Sequence, residues 1–105
     1  MAAGKIRVGA PVSAVVTSDG VVGTSPRVFR FNVYARPAII TNTDTTNAAF
    51  VKVNLSDASG ADYLFKLSAQ MAIDCTMNTR VNVKTVSVFM VAGDYDNIKV
   101  VGWEP

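Results

Sequence analysis

Apolar and polar residues alternate with period two along most of this chain. Phe29, Phe31 and Val33 interleave with Arg30, Asn32 and Tyr34. Val51, Val53 and Leu55 interleave with Lys52 and Asn54, and Tyr63, Phe65 and Leu67 with Asp62, Leu64 and Lys66. Successive side chains on a strand point to opposite faces, so each run specifies one buried and one mainly exposed face. The expected inward set is Phe29, Phe31, Val33, Val51, Val53, Phe65, Val81 and Val83, whose parity opposes the charged residues of the same strands.

Turn formers divide these runs into short elements. Lys5–Val8 and Val12–Thr17 are apolar segments separated by Gly9-Ala10-Pro11, and Pro11, which lacks an N–H, marks an edge or a bend. Thr17–Pro26 is a loop with Asp19-Gly20 as its turn signal. Strands follow over Arg27–Tyr34, Ala38–Asn42, Ala48–Leu55, Asp62–Leu67, Gln70–Cys75 and Ile98–Trp103, with polar links at Thr43–Asn47, Ser56–Ala61 and Gly93–Asn97. Thr79–Val91 changes phase, with Val81 and Val83 on one parity and Val86, Val88 and Met90 on the other; a β-bulge or a strand passing between layers does this. The pattern predicts seven to nine short strands in one small antiparallel, jelly-roll-like β-sandwich spanning residues 1–105, with 1–26 as an extended N-terminal segment.

Composition adds a surface problem. Half of the 105 residues are hydrophobic and only 17% are charged. A domain of this size buries roughly 60–70% of its unfolded surface, so part of the apolar excess is expected to cover a subunit interface. Ile6, Val8, Val12, Val15 and Trp103 are the interface candidates. The segment Lys5–Thr17 can either lie along a neighbour's unpaired edge strand or pair as a first strand in its own chain. Trp103 can pin the last strand over the core or anchor a neighbour. The net charge of +2 is unevenly spread: residues 1–43 carry Lys5, Arg7, Arg27, Arg30 and Arg36 against Asp19 alone, whereas 44–105 are net acidic. Opposite potentials of this kind suit a head-to-tail subunit contact.

Little in the sequence equips the chain for catalysis. It has no His and one Cys, which excludes Ser–His and Cys–His nucleophilic mechanisms and the usual zinc sites. No phosphate-binding Gly-rich loop is present. Asp94 and Asp96 flank Tyr95 in a turn, a sparse oxygen set for calcium. Thr43–Asn47 offers amides, hydroxyls and Asp44 to a sugar, or forms a hydrated strand connection. Arg30, Lys52, Lys66 and Lys84 fall opposite the apolar parity and are expected on one outer face, where they guard against edge pairing rather than bind nucleic acid. Cys75, in register with Ala69, Met71 and Ile73, reads as a core residue. The opening residues lack the apolar stretch of a signal peptide, no run has membrane-spanning length, and Asn54-Leu55-Ser56 matches a glycosylation sequon by accident.

Two segments carry a resemblance. Pro37-Ala38-Ile39-Ile40-Thr41-Asn42 followed by Phe50-Val51-Lys52-Val53-Asn54 reads as an apolar hairpin, and the stretch from Val83-Lys84-Thr85-Val86-Ser87-Val88 through Ala92-Gly93 to Val100-Val101-Gly102-Trp103 closes the sheet. The chain resembles the small β-sandwich structural proteins of tailed-bacteriophage virions, the cement or decoration proteins and head or neck components. The resemblance implies a non-enzymatic protein without cofactors that is made in the host cytoplasm and resides in the virion. Its implied partners are its own copies, with a trimer as one candidate, and the major capsid or another virion protein, with no nucleic acid or membrane. The competing expectation is a carbohydrate- or cell-surface-binding module of a phage fibre or adhesin.

Overall fold

A computed structural model describes residues 10–54, 57–76 and 81–104. Its strands are β1 (Pro11–Ser13), β2 (Val15–Ser18), β3 (Arg27–Ala35), β4 (Ala38–Asn42), β5 (Ala49–Val53), β6 (Phe65–Leu67), β7 (Met71–Asp74), β8 (Val83–Phe89) and β9 (Ile98–Trp103), with a 3-10 turn over Tyr95–Asn97. They form two antiparallel sheets of order β1-β9-β4-β7 and β2-β3-β8-β5-β6. The expected β-sandwich is what the chain adopts.

The strand order has a simple origin. β5 pairs with β6, β4 with β7, β3 with β8 and β1 with β9. These pairs nest inside one another, as if the chain were one long hairpin, and successive pairs belong alternately to the two sheets. Contacts β4–β9 and β5–β8 then close each sheet across the fold of that hairpin. This is the jelly-roll arrangement, in which two sheets share one apolar layer. β2 is an addition at the edge of the five-stranded sheet.

The core between the sheets contains Phe29, Phe31, Ile40, Val51, Val53, Leu67, Val83, Val86, Val88, Met90, Ile98 and Val100. β4 lies inside its sheet between β9 and β7. That explains its continuous apolar run, with Ala38 and Ile40 buried and Ile39 half-buried. Gly102 on β9 is needed for space: a Cβ there would lie 2.6 Å from the Ala35 Cβ and 2.7 Å from Phe31 Cε1. Cys75 is buried in the same core, as its register implies.

Three expectations about the inward set need correction. Val33 is 44% exposed and Val81 45% exposed, whereas Phe65 is only half-buried. Between the pairs Arg30↔Thr85 and Ala35↔Val83, four residues of β3 stand opposite the single Lys84 of β8. Strict alternation fails in such an irregularity, and Val33 is carried out of the core there, its amide donating to Glu104 Oε2 at 2.8 Å. Val81 lies ahead of the first residue of β8. The phase change itself sits between Val83 and Val86, both buried. There Asn54, at φ 59°, turns off the end of β5, and its Oδ1 accepts from the Lys84 and Thr85 amides at 2.7 and 3.2 Å.

The N-terminal segment also resolves into parts. Lys5–Val8 lies outside the described residues. Val12–Thr17 is split at Ala14: β1 pairs with β9, and β2 pairs with β3 in the other sheet. Pro11 stands on the edge strand of its sheet, where a missing N–H is tolerated. Pro11–Ser13 and Val15–Ser18 therefore pair with strands of their own chain.

Candidate functional site

The loops gather at the two ends of the sandwich, and the ends differ in chemistry. At one end the β2–β3, β4–β5, β6–β7 and β8–β9 connections meet. Asn42, wholly buried at the end of β4, organises them: its Nδ2 donates to the carbonyls of Asn47 at 2.9 Å and of Leu67 and Ser68 at 3.3 Å. Its Oδ1 accepts from the Asp44 amide at 3.0 Å. Asp44 in turn accepts from the amides of Thr46 and Asn47 at 2.9 and 2.8 Å and from Asn97 Nδ2 at 3.3 Å. Those amide donors hold its carboxyl down at about 2. Gly93, at φ 105°, passes so close that an added Cβ would sit 2.5 Å from Asp44 Oδ2. The residues considered for a sugar, Asp44 and Asn47 above all, are bound to one another.

The β2–β3 and β8–β9 loops are tied together at the same end. Gly23 N donates to Met90 O at 2.8 Å, and the buried Tyr95 hydroxyl donates to Ser25 O at 2.8 Å. Burial raises the Tyr95 pKa. Arg27 pairs with Asp96 at 2.9 Å, and its Nε donates to Asp19 O at 2.9 Å. Asp94 caps the 3-10 turn by accepting from the Asp96 amide at 2.8 Å. The two aspartates considered for calcium thus have separate tasks, and among the described residues no three His, Cys, Asp or Glu side chains converge for a metal. Beside them, Val21 and Val91 stand 60% and 64% exposed.

At the opposite end, beside the β3 irregularity, lies a shallow, open groove of about 460 Å³ lined by Tyr34, Arg36, Asn54, Val81 and Asn82. Tyr34 is more than half exposed, and Lys84 Nζ lies 5.7 Å from its ring centroid, in cation–π range. Lys84 Nζ also donates to the Asn32 carbonyl. Arg36 donates to Asn82 Oδ1 at 3.2 Å, and Asn54 Nδ2 to Asn82 O at 2.7 Å. Both cations are thus held by neutral oxygens. The carboxylate of Glu104, on the flank of the irregularity, is engaged with the Val33 amide. The groove presents an aromatic and an aliphatic wall with an ammonium and a guanidinium at its rim.

Of the interface candidates, Ile6 and Val8 lie outside the described residues. Val12 is half-buried against the core opposite Gly102, and Val15 is exposed on β2 opposite Arg30. Trp103 is half-buried, with its backbone amide donating to Pro37 O at 3.0 Å. Val12 and Val15 belong to different sheets, so these residues do not form a single patch. The expected basic face is broken as well. Arg30 and Lys66 are exposed, the latter 5.7 Å from the Phe50 ring centroid. Lys52 is buried, because residues 57–64 fold over it: Asp62 pairs with it at 2.7 Å, and Ala58 N donates to the buried Ser87 Oγ at 2.9 Å. Lys84 belongs to the groove.

Reading the sequence missed Asn42 and the groove. Asn42 ends an apolar run ahead of turn residues and looks like the first polar residue of a loop. The groove left one trace: Tyr34 and Arg36 share the parity of Arg30 and Asn32, placing a large aromatic among polar neighbours. Comparison of the chain with protein-family models, curated proteins and solved structures returns no match.

Proposed function

We propose that this chain is a structural protein of a tailed-phage virion, a cement or decoration module that binds the shell as a homo-oligomer and performs no chemistry. The observation that carries the reading is the exposure of ten large apolar side chains among the described residues of so small a domain. Several of them stand beside charged groups at the two loop ends. Meanwhile Asp44, Asp62, Asp94 and Asp96 serve internal bonds. Apolar surface rimmed by charge is the signature of a protein contact rather than of a solvated monomer. Jelly rolls recur in viral capsid and lectin domains, so the fold is compatible with the reading without choosing it.

The groove at Tyr34 supports the second reading, a carbohydrate-binding module, because an exposed aromatic flanked by amides and cations suits a sugar ring. One experiment separates the two. Purified protein is sedimented alone and with empty phage capsids, and is passed over immobilised glycans. The structural reading expects an oligomer that co-sediments with capsids and ignores glycans. A monomer retained by an acidic or neutral glycan and left in the supernatant by capsids would replace it with the second reading.

A further inference from the structure

The two ends of the sandwich complement each other. One end is a tip on which Val21 and Val91 protrude beside the exposed Asp19, Asp94 and Asp96. The other is the groove, where Tyr34 and Val81 are flanked by Arg36 and Lys84. We propose that copies of this protein associate head to tail, the acidic, valine-bearing tip of one seated in the basic, aromatic groove of the next. The proposal rests on the self-association in the functional reading but not on a virion, and it specifies which surfaces meet.

Three features favour this occupant. The charges are complementary in balance. The groove's Arg36 and Lys84 lean on neutral carbonyl and amide oxygens and, among the described residues, face only the Glu104 carboxylate, which is engaged with the Val33 amide. At the tip Asp19, Asp94 and Asp96 outnumber Arg27, which pairs with Asp96, and Lys99, whose Nζ donates to the Asp96 carbonyl at 3.0 Å. Both surfaces carry exposed apolar side chains, so contact removes valines and an aromatic ring from water together. The tip is also pre-organised. The Gly23–Met90, Tyr95–Ser25 and Arg27–Asp96 bonds lock its two loops to each other, so little ordering remains to be done on association. Because the two surfaces lie at opposite ends, the contact is heterologous. Such a contact closes into a ring or continues as a filament, depending on the rotation from one copy to the next.

The test uses two charge-reversed variants of the full chain, each checked by circular dichroism for a wild-type fold. R36E/K84E spoils the groove and leaves the tip. D19K/V91K spoils the tip, keeps Asp94 as the cap of the 3-10 turn, and leaves the groove. Sedimentation velocity should show association of the wild type weakened at least ~10-fold in either variant, as expected for charge reversal across a desolvated contact. A mixture of the two variants keeps the native junction from the tip of R36E/K84E to the groove of D19K/V91K and swaps the signs on both sides of the other junction, so mixing should restore the association that each variant alone has lost. A wild type that stays monomeric at high concentration overturns the proposal. So does an oligomer that survives in both folded variants, although the self-association in the functional reading would stand. A mixture that fails to associate while each folded variant is monomeric overturns it as well. A wild type that pairs head to tail yet ignores capsids leaves this inference intact and removes the virion.

Discussion

Phe31 and Gly102 meet across the core, and their sizes are matched to each other. The Phe31 ring is 2% exposed, and Gly102 offers the space it occupies. Phe31→Ala should cost about 3–5 kcal/mol in denaturant unfolding through lost burial and the cavity left behind. Gly102→Ala should cost about 1–3 kcal/mol by overpacking the same spot. The double variant should lose less than the sum of the two, since removing the ring makes room for the methyl; strict additivity would mean that the two side chains do not share that space. Asp44 sets a pH dependence. Its folded-state pKa of about 2 lies below its ordinary 3.8, so as pH falls the unfolded chain takes up the proton first. The stability it contributes is complete above pH 3.8 and is lost as pH drops toward 2. Unfolding midpoints measured from pH 5 downward should therefore fall less steeply in Asp44→Asn than in the wild type. Equal slopes would assign the acid sensitivity to other carboxylates. Phe31 was legible from parity alone, whereas Asp44 was not. Periodicity announces which residues face inward, but a turn carboxylate fastened by backbone amides looks in sequence like any solvated aspartate.

Strand existence and face were readable wherever the ladder is regular. β3 up to Phe31 and β5 turn their expected apolar residues inward, and the shift of phase along Thr79–Val91 was visible as a change of valine spacing. The location of the compensating irregularity was not. It sits on β3, where a uniform alternation through Val33 gives no hint that four residues face one on the neighbouring strand. Local pattern cannot report a mismatch between two strands that are far apart in sequence. The N-terminal strands yield a test at this scale. β1 and β2 complete an edge in each sheet, and Ala14 N donates to Val100 O at 2.9 Å where the chain crosses between them. Deleting residues 1–17 should therefore abolish the native near-ultraviolet spectrum and leave a chain prone to aggregate through two bared edges. A truncated protein that remains folded and monomeric would show that the segment serves a neighbour rather than its own sandwich. Cys75 belongs to the same argument: buried beside the end of β7, its thiol is pushed up to about 12 by desolvation, with Asp74 adding to the shift. A thiol-specific reagent should modify it at neutral pH only as fast as the fold opens, and denaturant should restore the rate of a free thiol.

For the molecule as a whole, fold class was legible and pairing was not, because alternation defines faces while the nesting of hairpins depends on which strands meet. The nested order has a consequence for unfolding. Each sheet contains strands from both halves of the chain, β1 with β9 and β3 with β8, and one core layer lies between the sheets. Neither sheet can come apart while leaving the other its covering, so the domain should unfold as one cooperative unit. Trp103 makes this measurable. The sequence holds a single Trp, which sits at the end of β9 in the four-stranded sheet, whereas the larger sheet contributes more of the strand signal in the far ultraviolet. Trp fluorescence and far-ultraviolet circular dichroism, followed through the same urea titration, should give coincident midpoints and slopes. An earlier fluorescence transition would mean that the β1–β9 edge opens independently, and the two sheets would then have to be treated as separate units rather than as two sides of one core.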